Sequence, residues 1–548
     1  MSLRFYPVLL SFAMLMVLHA CGTTGPGPVI EPVRDLPTQA ETSDRELQGR
    51  IPGDPSDRSL EEVIELSKSM SGYQPELALE ILRSLESVSS SQLTAMIDGQ
   101  TQDPEFSEWL ELSLLIRTLM ISGSPVSPVA QNWANYHYGH AITRDNFPAL
   151  VSSYRALFPV PSQVAVLLPN EGGLAAAGKA IRDGILSAYF EQPGESVIRF
   201  YSSGKNSESA VAAYQQARAD GASQIIGPLR MESTLALASL VKGREAGAEN
   251  SREFWSGPLE TGQETSQETK LGDGQGIPIL LLNQPTDNTF VQGDESNIVN
   301  SLSLSQSEEA AAVANKALAQ GQEHALVIVP DSAWGTRIET AFTSAFEQGG
   351  GNIPASARFG ANTSDHSAML TRLLKIDEST QRKKNLQSRI GIPLNFEPSR
   401  RDDFDFIFLV ANPVQGRELK PLLRFHDAGD LPVYAIGRVF SGRAEQASDQ
   451  DLNGIVFPAT PWQLQAVGTT KPALKSIRGG AYGDLYALGQ DAWHLLPWLP
   501  LMQKDPDLWF PGDVGALRLQ TDGHLHRQPA WAQFSAGQVV PYQWSETH

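Results

Sequence analysis

The spacing of apolar residues along the chain changes near residue 160. Over residues 58–158, apolar side chains recur at intervals of three and four, a period that predicts short amphipathic helices. Beyond residue 161, short β-rich apolar runs alternate with helical patterns, which is typical of βα units on parallel sheets. The chain is therefore predicted to contain a small all-α domain followed by a larger α/β domain over residues 162–541.

Within the helical region, the strongest pattern lies around Trp109, and Pro75 opens an earlier helix. Ala78 and Leu112 occupy similar positions 34 residues apart, which is the period of tetratricopeptide-like helix pairs. A single matched spacing leaves an ordinary helical bundle as the alternative.

Seven apolar runs in the α/β region predict strands, at residues 164–169, 196–202, 223–229, 277–283, 324–331, 405–412 and 431–437. Their order suggests one lobe over about 162–305 and a second over about 306–460. The amphipathic helix predicted at 482–499 opens a return segment, about 480–541, that we expect to pack back on the first lobe. Residues 242–276 are rich in Glu, Gly, Ser, Gln and Thr, so they are predicted to form a disordered surface insertion.

The N-terminal residues have the three-part pattern of a secretory signal. Arg4 precedes an apolar-to-neutral run over 6–18 that is too short to span a bilayer. The run ends in Leu-His-Ala-Cys, which resembles a bacterial lipobox, and Cys21 is the sole cysteine of the 548 residues. We therefore predict a signal peptide over 1–20, lipidation at Cys21 and a flexible tether over 21–57. A chance cysteine after an ordinary signal peptide is the alternative.

The composition narrows the choice of partners and compartment. A net charge of −20 argues against a nucleic-acid partner and against a basic membrane-binding patch. Gly22 rather than Asp after the cysteine favours the periplasmic side of the outer membrane under the enterobacterial sorting rule. The sequence has no Walker A motif, no HExxH, no GxSxG and no paired cysteines, so we expect neither an enzyme nor a cofactor. The histidine pairs at 137 and 140 and at 524 and 526 have no ligand-spaced companions, so no metal site is predicted.

Two sets of residues are candidates for binding. Ligands of open α/β sheets lie at the carboxyl ends of the strands. This position predicts a cleft formed by Asn170, Glu171, Gly173, Gly227, Pro228, Asn283 and Asn412. The alternative is that the glycines only permit tight turns. Helical spacing also places Arg417, Lys420 and Arg424 on one basic face, which is a candidate partner surface or simply a solvated face.

Four stretches, at 164–190, 223–233, 401–435 and 512–541, resemble the penicillin-binding protein activator family, the LppC/LpoA-type outer-membrane lipoproteins. The resemblance implies a two-lobed fold of the type I periplasmic-binding-protein kind, used as an interaction module. It also implies activation of a class A penicillin-binding protein and hence regulation of cell-wall peptidoglycan synthesis. Peptidoglycan itself is a further candidate partner. The rival hypothesis is a lipid-anchored receptor for a small ligand, such as a peptidoglycan fragment or an amino acid.

Overall fold

The computed structural model describes residues 58–99, 103–122, 125–191, 196–245, 277–284, 298–360, 365–465, 480 and 482–544. The predicted signal peptide, Cys21 and the tether to residue 57 lie outside these residues. So does most of the predicted insertion, from residue 246 to residue 276, whereas residues 242–245 continue a helix.

The N-terminal part of the described chain is helical, as predicted. Its helices are α1 (Leu60–Lys68), α2 (Pro75–Ser84), α3 (Ser90–Asp98), α4 (Pro104–Ser122), α5 (Val126–Tyr136) and α6 (Phe147–Arg155). Ser59 and Ser89 begin α1 and α3 with capping boxes, in which side chain and backbone exchange hydrogen bonds with Glu62 and Gln92. Most of the apolar side chains that carried the helical pattern, including Trp109 on α4, are buried, whereas Leu60 is 41% exposed.

Lobe one is a parallel sheet flanked by helices. Its strands are β1 (Gln163–Leu168), β2 (Val197–Ser202), β3 (Gln224–Ile226), β4 (Ile279–Leu281) and β5 (Val299–Ser301). Its helices are α7 (Ala175–Glu191), α8 (Ser207–Ala219) and α9 (Met231–Glu245). In the described residues the strand order is β2-β1-β3-β4-β5, with every neighbouring pair parallel.

Lobe two repeats this topology. Its parallel strands are β6 (His324–Pro330), β7 (Asn352–Phe359), β8 (Phe406–Leu409), β9 (Val433–Ala435) and β10 (Ile455–Ala459). Its helices are α10 (Gln306–Ala319), α11 (Ala333–Gln348), α12 (Ser367–Leu373), α13 (Ile376–Ile390), α14 (Pro413–Phe425) and α15 (Pro461–Gln465). The order β7-β6-β8-β9-β10 matches that of lobe one strand for strand. Two lobes of one topology after a helical region confirm the predicted fold class.

The return segment divides between the two lobes. It contains α16 (Gly483–His494), α17 (Leu499–Lys504), β11 (Trp509–Pro511), β12 (Ala516–Leu519), β13 (Leu525–Gln528), β14 (Ala530–Ser535) and β15 (Gln538–Pro541). Helix α16 packs closely on α7 of lobe one. A methyl group at Gly489 would lie 2.2 Å from the Ile181 carbonyl oxygen, and one at Gly184 would lie 2.0 Å from that of Tyr486. Glycine at both positions allows the two helix backbones to approach.

The prediction that the whole of 480–541 belongs to lobe one is wrong for its last two strands. β14 pairs antiparallel with β10, and β15 pairs with β14, so both extend the sheet of lobe two. Ala532 and Phe534 are buried there, and the Phe534 ring lies 5.1 Å from that of Phe457. Alternation of apolar residues identifies a strand but not the sheet it joins, which explains the error.

Candidate functional site

One of the predicted cleft residues of lobe one lines a cavity. This cavity, with a volume of about 430 Å³, lies at the ends of β1 and β2 beside α7, and Asn170 forms part of its wall. The Asn170 side chain accepts a hydrogen bond of 2.6 Å from the Ser202 hydroxyl. Glu171 is exposed and lies 3.6 Å from the Lys205 ammonium group, and Gly173 is exposed with open space around its Cα. Asn170 is thus the predicted residue that borders this cavity.

Four other residues of the predicted cleft have structural roles. Gly227 has φ +100° and is joined to Pro228 by a cis peptide bond, and a methyl group there would lie 2.2 Å from the Leu167 carbonyl oxygen. The Asn283 side chain donates to the Leu229 carbonyl over 3.1 Å. Asn412 caps α14, since its side chain accepts a 3.0 Å hydrogen bond from the backbone of the third helical residue. The conformation of Gly227 favours the alternative in which the glycines only permit tight turns.

A second cavity, of about 370 Å³, brings together residues that the sequence did not single out. It is lined by the first turn of α10, the 3-10 turn at Gly437–Val439, the end of β10 and the start of α16. Glu309 accepts hydrogen bonds from the Arg527 guanidinium over 2.8 Å and from the Gly437 amide over 3.0 Å. Asp484 accepts from the Thr460 hydroxyl over 2.9 Å and from the Gln463 amide over 2.8 Å.

The hydrogen-bonded residues around this second cavity connect the lobes, and we refer to them as the joint. Burial, assisted by Glu309, raises the pKa of Asp484 to about 6, and the Thr460 hydroxyl and Arg527 oppose that rise. Close by, His524 links the Ser301 hydroxyl of lobe one to the Glu308 carboxylate of lobe two, over 3.1 and 2.8 Å. The carboxylates are already hydrogen-bonded to protein donors, which favours a structural joint over a ligand-binding cleft. No sequence pattern indicated this joint, because acidic residues in a first helical turn, such as Glu308 and Glu309, resemble ordinary helix charges.

A buried ion pair fastens the helical region to the return segment. The Arg117 guanidinium donates to the Asp505 carboxylate over 2.6 Å, and both side chains are almost completely buried. Arg117 also donates to the carbonyls of Val88 and Leu85 over 2.9 and 2.5 Å. Asp505 in turn accepts from the Ser90 amide over 3.0 Å and from the Ser90 hydroxyl over 2.5 Å. We refer to Ser90, Arg117 and Asp505 as the clamp.

The basic face predicted on α14 is not a common exposed surface. Arg417 pairs with the buried Asp449 over 2.8 Å and with Glu445 over 2.9 Å. Lys420 is 5% exposed, and burial lowers the pKa of its ammonium group. Arg424 is exposed. The helical spacing was correct, but the 3-10 turn at Asp449–Leu452 packs against α14 beside Arg417, and Lys420 is buried as well.

Metal and membrane sites can be assessed for the described chain alone. There, no group of three or more His, Cys, Asp and Glu side chains is placed to hold a metal ion. In the same residues, no helix has both the length and the apolar character needed to cross a bilayer.

Comparison with known families decides the relationship. The sequence model described as "LppC putative lipoprotein" matches residues 54–244 and 247–537, which covers the helical region and both lobes. The chain belongs to this lipoprotein family. The predicted resemblance is therefore confirmed, and the family description agrees with the prediction of a lipoprotein.

Named relatives of this LppC-family protein are penicillin-binding protein activators. It is 25% identical over 477 residues to the "Penicillin-binding protein activator LpoA" of Vibrio antiquarius, covering 85% of this chain and 72% of that protein. It is 24% identical over 495 residues to the protein of the same name from Vibrio cholerae, covering 87% and 74%. Among solved structures, full-length LpoA from Haemophilus influenzae superimposes with TM-score 0.51 at 20% identity over 88% of this chain and 77% of that one. A monoclinic form of the same protein gives TM-score 0.52. These two structures share the fold.

Proposed function

We propose that this LppC-family protein is a lipid-anchored, non-enzymatic activator of a class A penicillin-binding protein, acting from the periplasmic face of the outer membrane. The observation that carries the proposal is the extent of the match to named activators. The family model spans residues 54–244 and 247–537, and the alignments to two named activators cover 85% and 87% of this chain. Because the proteins align over most of their length, the surfaces that carry a shared function can lie on the helical region, on either lobe or on the return segment.

The structure supports an activator that acts as one body. The clamp ties the helical region to the return segment, and the hydrogen bond from Arg527 to Glu309 ties the return segment to lobe two. A partner that docks on such a preorganised surface loses less conformational entropy than one that must order it. Activation then requires that this surface bind the active conformation of the synthase more tightly than the inactive one.

The predicted tether provides the reach. About 36 residues between Cys21 and residue 57 have a root-mean-square span of ~30–36 Å as a flexible coil, and a fully extended limit of ~120 Å. An activator fastened to the outer membrane could therefore contact a synthase fastened to the inner membrane. Peptidoglycan lies between the two membranes and is a further proposed contact.

The test uses the full-length lipoprotein in detergent with the purified class A penicillin-binding protein of the same bacterium. We expect direct binding and an increased rate of glycan polymerisation, peptide cross-linking or both. The lipoprotein alone, without the synthase, serves as the control for intrinsic activity. Absence of both binding and stimulation would contradict the proposed function.

A further inference from the structure

Helix α13 is attached to lobe two through its first turn. It follows α12 after a left-handed residue, Lys375, at φ 56°. Ile376 packs on the core of lobe two, and the buried Ser379 hydroxyl accepts a 3.1 Å hydrogen bond from the Ser399 amide of the returning chain. The backbone amide of Arg401 donates to the Leu374 carbonyl over 2.9 Å. These contacts fix where the helix begins and in which direction it extends.

The second half of α13 extends beyond this anchored turn. From Gln381 to Ile390 most side chains are exposed, and Lys383 and Gln387 are half-buried. Lys383 lies over the Phe396 ring at 5.6 Å, so the returning chain runs beside that side of the helix. Leu386 and Ile390 are each 49% exposed, and Ile392 just after the helix is 59% exposed. Aliphatic side chains therefore extend past the part of lobe two that could cover them.

This projecting half is also strongly cationic. Between residues 379 and 396 the chain contains Arg382, Lys383, Lys384 and Arg389 and no carboxylate, although the whole protein has a net charge of −20. Among the described residues, Arg382 lies 3.9 Å from Glu378, and no ion pair is formed by Lys384 or Arg389. The positive charge of this segment is thus largely uncompensated within lobe two.

Cations and aliphatic residues share one face. Arg382, Leu386, Arg389 and Ile390 follow one another at intervals of four, three and one, which places them on a single stripe of an α-helix. Lys384 is two residues from Leu386 and so points to the opposite side. We call the four-residue stripe the α13 face.

We propose that the α13 face docks an acidic segment of the penicillin-binding protein that carries its own apolar stripe. The inference rests on the proposed function and adds a contact surface to it. Charge complementarity identifies the occupant, because carboxylates would pair with Arg382 and Arg389 while apolar side chains cover Leu386 and Ile390. A basic helix can also bind anionic lipid, but the strongly negative remainder of the protein opposes approach to an anionic membrane.

The test compares full-length variants for binding to the purified class A penicillin-binding protein and for stimulation of its polymerase. Arg389→Glu removes a cation from the face, and Lys384→Glu makes the same charge change on the opposite side. We expect Arg389→Glu to weaken binding roughly tenfold or more and to reduce its salt dependence, with an effect of less than about twofold for Lys384→Glu. The double variant Leu386→Ser with Ile390→Ser should weaken binding roughly tenfold or more without altering the salt dependence.

The outcomes separate this inference from the proposed function. If the wild-type protein neither binds nor stimulates the synthase, the proposed function fails. If wild type binds but the face variants bind equally well, or if both charge reversals weaken binding alike, the α13 docking surface is wrong and the proposed function stands. If the face variants bind the synthase as wild type does but lose binding to vesicles containing phosphatidylglycerol, the face binds lipid and the inference is overturned. Circular dichroism spectra matching wild type establish that each variant is folded.

Discussion

Replacing Arg117 with methionine tests whether the helical region is held rigidly to the rest of the protein. Methionine keeps much of the aliphatic volume but removes the guanidinium that joins Asp505 to the carbonyls of Leu85 and Val88. The Asp505 carboxylate would remain buried with donors from Ser90 and Asp507 but without its cation. A buried charge that loses its partner is strongly destabilising.

The magnitude follows from the burial of the pair. Both side chains are almost inaccessible, at 1% and 0% exposure, so solvent cannot replace the lost interaction. Breaking such a pair on one side costs about 3–5 kcal/mol. Replacing both members, as in Arg117→Met with Asp505→Leu, leaves no unpaired charge and should recover part of that loss.

Hydrogen exchange is the suitable assay, because a chain of this size need not unfold in one step. We expect amides of α3 and α4 in Arg117→Met to lose protection by roughly 150- to 5,000-fold, the equivalent of about 3–5 kcal/mol. Lys68→Ala is the control, since the Lys68–Asp103 pair is solvent-accessible and such pairs contribute little to stability. Wild-type protection in Arg117→Met, or a double variant no more stable than the single one, would refute the role assigned to the clamp.

Three further predictions concern the helix contact, the joint and the anchor. Gly489→Ala should reduce the free energy of unfolding by about 1–3 kcal/mol because its methyl group meets the Ile181 carbonyl, whereas Gly173→Ala should be close to neutral in the same denaturation experiment. Asp484 has a folded pKa of about 6, above its unfolded value, so its stabilising contribution is complete below pH ~4 and is lost as pH rises through 6. Asp484→Asn should therefore flatten the stability profile between pH 4 and 7, and an unchanged profile would contradict the assignment. Cys21→Ser should leave the purified protein able to stimulate the synthase but impair it in cells, and full function in cells would reduce Cys21 to a sorting signal.

The two-lobed fold could be predicted from sequence because its determinants are local and repeated. The buried strands of both lobes are continuous apolar runs, such as Val164–Leu168 and Ala325–Val329, and helical patterns separate them. Each βα unit can therefore be recognised from about thirty consecutive residues. The sheet that β14 joins could not be predicted in this way. Its pairing with β10 joins segments some seventy residues apart and depends on the packing of Phe534 against Phe457.

The candidate sites were less predictable than the fold, for a physical reason. Arg417, Lys420 and Arg424 do share a helix, but whether a helical face is exposed depends on what packs against it, and Asp449 covers Arg417. The joint and the clamp depend even more on tertiary structure. Arg117 and Asp505 are 388 residues apart, and neither has an unusual local context.

The α13 face shows that a local concentration of one charge is a feature that the sequence itself reveals. Four cations without a carboxylate over residues 379–396 stand out in an acidic chain, and that feature is visible in the sequence. Its meaning depends on exposure, since the same aliphatic residues would indicate a core helix if they were buried. Leu386 and Ile390 are half exposed while Ile376, on the anchored turn of the same helix, packs on the core. The apolar side of α13 extends beyond the lobe on which the helix packs, and a second protein surface that covers these side chains best explains this. The positive charge around them favours an acidic surface.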